Sequence, residues 1–198
     1  MDQNRTAMEA EIVSRTADAV VSMLSDLQLE EPVYAVILMY HTGEAEEFLP
    51  WVAVGTERER REFLREDSEN ADCLMWDGEA LEVYDPLESL LEDMDFMDLC
   101  AQWSLAVFAD PVRNPADVIT ALLQRICFTL QQRDLGRLFP VTDDFTVTAS
   151  GPDGDWLLFN MQILLPEERF ESFLKKGYLK PDACGCDEEP EEEEKRSV

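Results

Sequence analysis

The run Val33-Tyr-Ala-Val-Ile-Leu-Met-Tyr40 constrains this chain more than any other stretch. Side chains on a strand alternate between its two faces, and here both sets are apolar, so neither face can be turned to water. Such a segment reads as an interior strand of a sheet. Pro32 separates it from what precedes. His41-Thr-Gly-Glu44 forms a turn signal, and Phe48–Val54 reads as a second strand. Pro50 lacks an N–H to donate to a ladder, which places that second strand at an edge or a bulge.

Helical patterns surround this pair. Ile12, Val13, Thr16, Ala19, Val20, Met23, Leu24 and Leu27 recur at helical spacing after Thr6-Ala-Met-Glu9, which has the form of a capping box. Thr56-Glu-Arg-Glu59 has the same form and is expected to open a short exposed helix. Cys73–Trp76 suggests a short strand within an ambiguous stretch. Pro86 is expected to start a helix through about Leu99, with Leu87, Leu90, Leu91 and Met94 inward. Asn114-Pro115 is an N-cap followed by proline at the first helical position. It precedes a stripe of Ile119, Leu122, Leu123, Ile126, Cys127 and Leu130. Asp144–Ser150 alternates strictly, Gly151–Gly154 is a turn signal, and Asp155–Leu164 is expected to return as the second arm of a hairpin. Pro166 opens a last helix, with Glu167 and Glu168 in its first turn and Lys175 and Lys176 in its last, an order that suits the helix dipole. The order of elements argues for an α+β fold, a mainly antiparallel sheet with helices packed on it, over residues 1–180. From Pro181 the chain is too acidic and too poor in apolar residues to order itself, so 181–198 is expected to be a disordered acidic tail.

Charge is the second strong signal. The net charge is −28, and the tail, with eight acids and two bases, leaves −22 on residues 1–181. No lysine or arginine occurs between Arg65 and Arg113, while acids crowd that interval. This field repels nucleic acid and anionic membranes and favours a basic protein partner. A solvated face that serves only solubility is the alternative reading. Lysines are scarce, four against twelve arginines, as in a salt-adapted or GC-rich source. No run of about 18 apolar residues is present and the first residues lack a signal-peptide layout, so a cytoplasmic protein is expected. Five widely spaced cysteines point to a reduced compartment, with Cys73, Cys100 and Cys127 expected to be buried among apolar neighbours.

Chemistry is hard to find. There is no glycine-rich phosphate loop, no G-x-S-x-G and no H-E-x-x-H. His41 is the only histidine, so any imidazole chemistry must use it, with Tyr40, Thr42 and Glu44 near it in sequence. Acid pairs such as Glu46-Glu47 and Asp143-Asp144 cannot be told from chance in a chain with 44 acids. Cys184-Gly-Cys186 supplies two thiolates, short of a closed four-coordinate site. No catalytic residue, metal site or cofactor is assigned. The tryptophans 51, 76, 103 and 156 read as core anchors or as anchors of a partner surface.

The layout resembles a family of small bacterial proteins of unknown function. Its members share a strand, a turn, a proline-containing strand leading into T-E-E-x, a tryptophan-centred middle, and a closing N-x-x-x-L-x-P ahead of a helix. The corresponding stretches here are Tyr34–Tyr40, Phe48–Arg61, Cys73–Tyr84 and Asn160–Leu174. Such proteins look like immunity and accessory proteins of toxin systems, which implies binding rather than catalysis and carries no catalytic motif. The leading expectation is thus a non-enzymatic acidic module that captures a basic partner, a toxin among the candidates, with Glu88, Glu92, Asp93, Asp95 and Trp76 in its surface. An enzyme with a cleft at the strand end near His41 and a self-associating structural subunit are the alternatives.

Overall fold

The structure is a computed structural model and describes residues 3–40, 48–67, 69–151 and 156–180. A long helix, α1 (Gln3–Asp26), leads into β1 (Val33–Met39), whose seven residues are all buried. Next come β2 (Trp51–Thr56), α2 (Glu57–Glu66), α3 (Ala71–Leu74) and β3 (Val83–Asp85). They are followed by α4 (Glu88–Leu91), α5 (Met94–Phe108), α6 (Pro115–Gln131), β4 (Val141–Ser150), α7 (Leu157–Leu164) and α8 (Glu167–Lys176). The four strands lie in the order β3-β2-β1-β4. β1–β2 and β2–β3 are antiparallel and β1–β4 is parallel, so the sheet is mixed with two antiparallel pairings of three. The fold is α+β.

The two-sided apolar character of β1 is explained by what covers it. Val36, Leu38 and Tyr40 meet one core with α1, α5 and α6, while Tyr34, Ala35, Ile37 and Met39 meet a second core with α3, α7 and α8. A register shift between Val33 and Ala35 accounts for the break in alternation there. The α1 and α6 stripes face the first core as their spacing requires, and Asn114 caps α6 through its bond from Ala116 N–H. Gly177, with φ of 72°, ends α8 in the left-handed conformation that costs glycine least.

Several elements depart from the sequence reading. β2 lies between β3 and β1 as an interior strand, because Pro50 precedes its first paired residue and never enters the ladder. Thr6 lies inside α1, which starts at Gln3, so it caps nothing. Residues 71–74 are helical rather than extended. The segment from Pro86 forms two helices, since Asp93 caps a new one that runs on to Phe108. The expected hairpin is a strand followed by α7. Leu157, Met161 and Leu164 are buried at helical spacing, and Phe159 and Ile163 make the outer side apolar too, which hides the helical period. Residues 41–47, 152–155 and 181–198, and with them His41, the turn after β4 and the acidic tail, lie outside the described residues.

β4 has one neighbour, yet its outer carbonyls are occupied. Phe145 O accepts from Arg169 Nη1 at 3.0 Å, Val147 O from Gln131 Nε2 at 3.0 Å and Ala149 O from Asn160 Nδ2 at 2.8 Å. Side chains from three helices thus satisfy a row that would otherwise template another strand.

At the far corner, α2 docks through charge. Its capping box forms as the sequence implies: Glu59 N–H donates to Thr56 Oγ1 at 3.3 Å and Thr56 N–H to Glu59 Oε2 at 2.8 Å. Contrary to the expectation of an exposed helix, Glu59 and Arg60 are buried. The Arg60 guanidinium lies 4.9 Å from the Tyr34 ring centre and 4.8 Å from that of Tyr178, and it bonds Glu57 (2.7 Å) and Asp144 (3.1 Å). Lys176 closes on the other oxygen of Asp144 at 3.0 Å. Tyr34 reaches this position by lying across Gly55, where an added Cβ would stand 2.4 Å from the ring.

Candidate functional site

Eleven of the thirteen acids between 66 and 98 fall into two populations, with the exposed Glu69 and Glu79 outside both. One is used by the fold. Glu66 pairs with Arg65 and Glu82 with Arg58, Asp67 accepts from Asn70, and Asp72 holds Lys180. Asp77 and Asp85 accept from the backbone N–H groups of Glu79 and Leu87. Asp93 belongs here too: it caps α5 through Phe96 N–H at 3.1 Å and forms an ion pair with Arg15 of α1. The hydrogen bond from Arg15, then that from Phe96, holds its carboxyl below the usual aspartate range.

The second population is Glu88, Glu92, Asp95 and Asp98, all exposed on α4 and the start of α5 and without an ion pair among the described residues. Their position follows from local structure. Asp85 Oδ1 accepts from Leu87 N–H at 2.7 Å, and Leu87 adopts φ of 55° with its side chain buried in the first core. A left-handed leucine costs on the order of 1 kcal/mol, and burying its side chain offsets that. Leu90 then anchors α4 from within while Leu91 stays half-exposed.

α5 has two apolar faces. Phe96, Cys100, Trp103 and Val107 pack into the first core, with the Trp103 ring 5.2 Å from that of Phe48. On the outside, Met94, Asp98, Ala101, Leu105 and Phe108 follow one another at helical spacing. Met94 is 70% exposed and Leu105 72%. Asp98 lies within this line between Met94 and Ala101, Asp95 adjoins it, and Glu88 and Glu92 precede it, in α4 and at its C-cap. The nearest bases in sequence begin at Arg113, on a cleft of about 480 Å³ that Arg5 and Arg125 also line. An apolar strip bordered by uncompensated carboxylates can bind an amphipathic basic surface, the strip excluding water and the acids steering encounter.

Of the five residues singled out from sequence, Glu88, Glu92 and Asp95 therefore share one surface. Asp93 adjoins them but is engaged in capping and in its ion pair. Trp76 is a correction: it is 2% exposed, stacks near Phe173 and donates its indole N–H to Tyr178 O at 2.7 Å, so it belongs to the second core. Sequence reasoning missed Leu105 and Phe108. The signal lay in a helix whose apolar residues are too many for one face, in Met94-x-x-x-Asp98 through Phe108. Cys73 is also a correction, being exposed, whereas Cys100 and Cys127 are buried as expected.

Other chemistry is sparse among the described residues. Tyr40, considered with His41, is buried, and its hydroxyl lies 3.1 Å from Thr120 Oγ1. A cavity of about 560 Å³ beside the outer edge of β4 is lined by Arg133, Asp134 and Arg169 as its charged residues. Arg133 pairs with Asp18 at 2.7 Å and Arg169 serves the β4 edge. No cluster of three or more His, Cys, Asp or Glu suited to a metal is present among the described residues, and no helix among them is long and apolar enough to cross a membrane. Comparison with family models, with curated proteins and with solved structures yields no match.

Proposed function

We propose that this chain is a non-enzymatic binding protein that captures a basic protein partner on the α4–α5 shoulder. One observation carries the reading: the exposed Met94, Leu105 and Phe108 of α5 share a line with Asp98 and adjoin Glu88, Glu92 and Asp95, with no lysine or arginine between residues 65 and 113. Opposite fields speed encounter, and desolvated apolar contact sets residence time. Neutralising a cytoplasmic toxin with a basic surface is the form of this activity that fits both the charge and the resemblance noted above.

The test separates the two contributions. A partner retained from the native host at low and moderate salt is purified, and its binding kinetics are followed. Replacing Glu88, Glu92 and Asp95 by their amides together is expected to slow association about tenfold at low salt and to flatten its salt dependence. Leu105→Ala with Met94→Ala is expected to act mainly on dissociation. Unchanged kinetics in both variants would remove the shoulder from the function.

A further inference from the structure

The cavity beside the outer edge of β4 is lined by the end of α6, the turn at 135–137, β4 itself and the start of α8, and it holds about 560 Å³. That volume lies within the usual span of small-molecule sites, roughly 300–1,000 Å³. Leu135, Val141, Phe145 and Leu165 give it apolar walls, and its charged groups are Arg133, Asp134 and Arg169. Arg137 pairs with Asp134 at 2.7 Å, so the cavity keeps an excess of positive charge in a chain whose net charge is −28.

Arg169 is the distinctive group. Among the described residues, only it and Arg113 of the arginines have no carboxylate within 4.0 Å. Its Nη1 donates to Phe145 O at 3.0 Å, which fixes the guanidinium at the cavity wall. A guanidinium carries its N–H donors in a rigid fork, so the edge formed by Nε and Nη2 keeps two parallel donors without an acceptor among the described residues. Arg133 pairs with Asp18 at 2.7 Å, but Asp18 is 64% exposed, and an exposed pair yields readily to a better acceptor. The rim itself cannot hold an extended main chain, because side chains occupy the Phe145 and Val147 carbonyls. An occupant must be held by side chains.

We propose that this cavity binds a small amphiphilic monocarboxylate. The carboxylate takes a two-point contact from Arg169 with Arg133 as the second cation, and the apolar body lies against Leu135, Val141, Phe145 and Leu165. A compact inorganic anion meets the repulsion of the whole chain with only two arginines to offset it, whereas an apolar body adds buried area. No residue of the α4–α5 shoulder takes part, so the site is independent of partner capture. Occupancy stabilises the folded chain by mass action.

The full chain is titrated separately with octanoate, with the neutral octanamide and with inorganic phosphate, and amide NMR shifts are followed. Expected is saturable one-to-one binding of octanoate with a dissociation constant of about 1 mM or below, with shifts centred on residues 131–136 and 145–147. Octanamide and phosphate each bind at least about tenfold more weakly. Arg169→Met weakens octanoate at least about tenfold and abolishes its preference over octanamide. Arg133→Met leaves the β4 rim untouched and weakens octanoate about threefold. At Gly136 an added Cβ would stand 3.6 Å from Val141 Cγ2, an ordinary contact, so Gly136→Leu obstructs the cavity without strain and weakens both organic ligands. These last two variants decide the matter should Arg169→Met fail to fold. Equal affinity for octanoate and octanamide, shifts confined to α5, or unaltered octanoate binding in Arg133→Met and Gly136→Leu overturns the proposal.

Discussion

The α2–α8 corner and the α4–α5 shoulder are both built with carboxylates, yet only one of them shows its charge to the outside. At the corner, Glu57 and Asp144 share Arg60, Lys176 takes the second oxygen of Asp144, and two tyrosine rings cover the guanidinium. At the shoulder, Glu88, Glu92, Asp95 and Asp98 face water without an ion pair among the described residues. The local count of acids does not make a negative surface. What decides is where the twelve arginines and four lysines fall, and none falls between residues 65 and 113.

The comparison breaks first at Arg60. Its removal leaves Glu57 paired only with the exposed Arg61 and Asp144 only with Lys176, and Arg60→Ala is expected to cost about 3 kcal/mol in urea unfolding. A loss below about 1 kcal/mol would show that the corner is no more structural than an ordinary surface pair. Gly55→Ala comes next. The new methyl would meet the Tyr34 ring that roofs Arg60, and a loss of about 1–3 kcal/mol is expected by the same measurement.

A smaller effect comes from Asp144. Burial works against its charged form, but Lys176, Thr142 and Arg60 prevail and hold its carboxyl below the usual aspartate range. A carboxyl lowered in the folded state contributes stability that is complete above the unfolded value, near about pH 4, and is lost as pH falls through the folded one. The stability gap between the wild type and Asp144→Asn should therefore be constant near neutrality and close below about pH 4, as melting curves across pH would show. The smallest effect belongs to the shoulder. Glu88→Gln, Glu92→Gln and Asp95→Asn are expected to leave unfolding free energy within about 0.5 kcal/mol each. Asp93→Ala should lower the melting temperature visibly more than any of them, because it removes a cap and the ion pair to Arg15. If all four behaved alike, the division between structural and presented acids would fail.

Much of this architecture was legible in the residues. The two-sided run of β1, the Thr56–Glu59 box, the Asn114-Pro115 start and the charge order of α8 are local rules, and the fold obeys them. The misreadings share one physical cause, which is partnership at long range. α7 is apolar on both sides, so its period shows only once the buried side is known. Thr6 and Glu9 have capping spacing, but Glu9 instead pairs with Arg5 and, across the fold, with Arg125 at 2.8 Å. Asp93 looked like one more surface acid until Arg15, 78 residues away, was seen beside it. The acid-rich interval was plain in the sequence. Which of its members carry no counterion was not, since that depends on bases brought in from α1, α2 and the end of the chain.

The occupied rim of β4 limits how this molecule can meet others. Arg169, Gln131 and Asn160 hold the carbonyls that a newcomer's main chain would need, and at the opposite rim β3 offers only three residues. Recruitment by extending the sheet is closed off at one end and scarcely supported at the other. Selectivity must then be written in side chains and their shapes, and a crowded, concentrated solution of this protein has little template for growing ribbons.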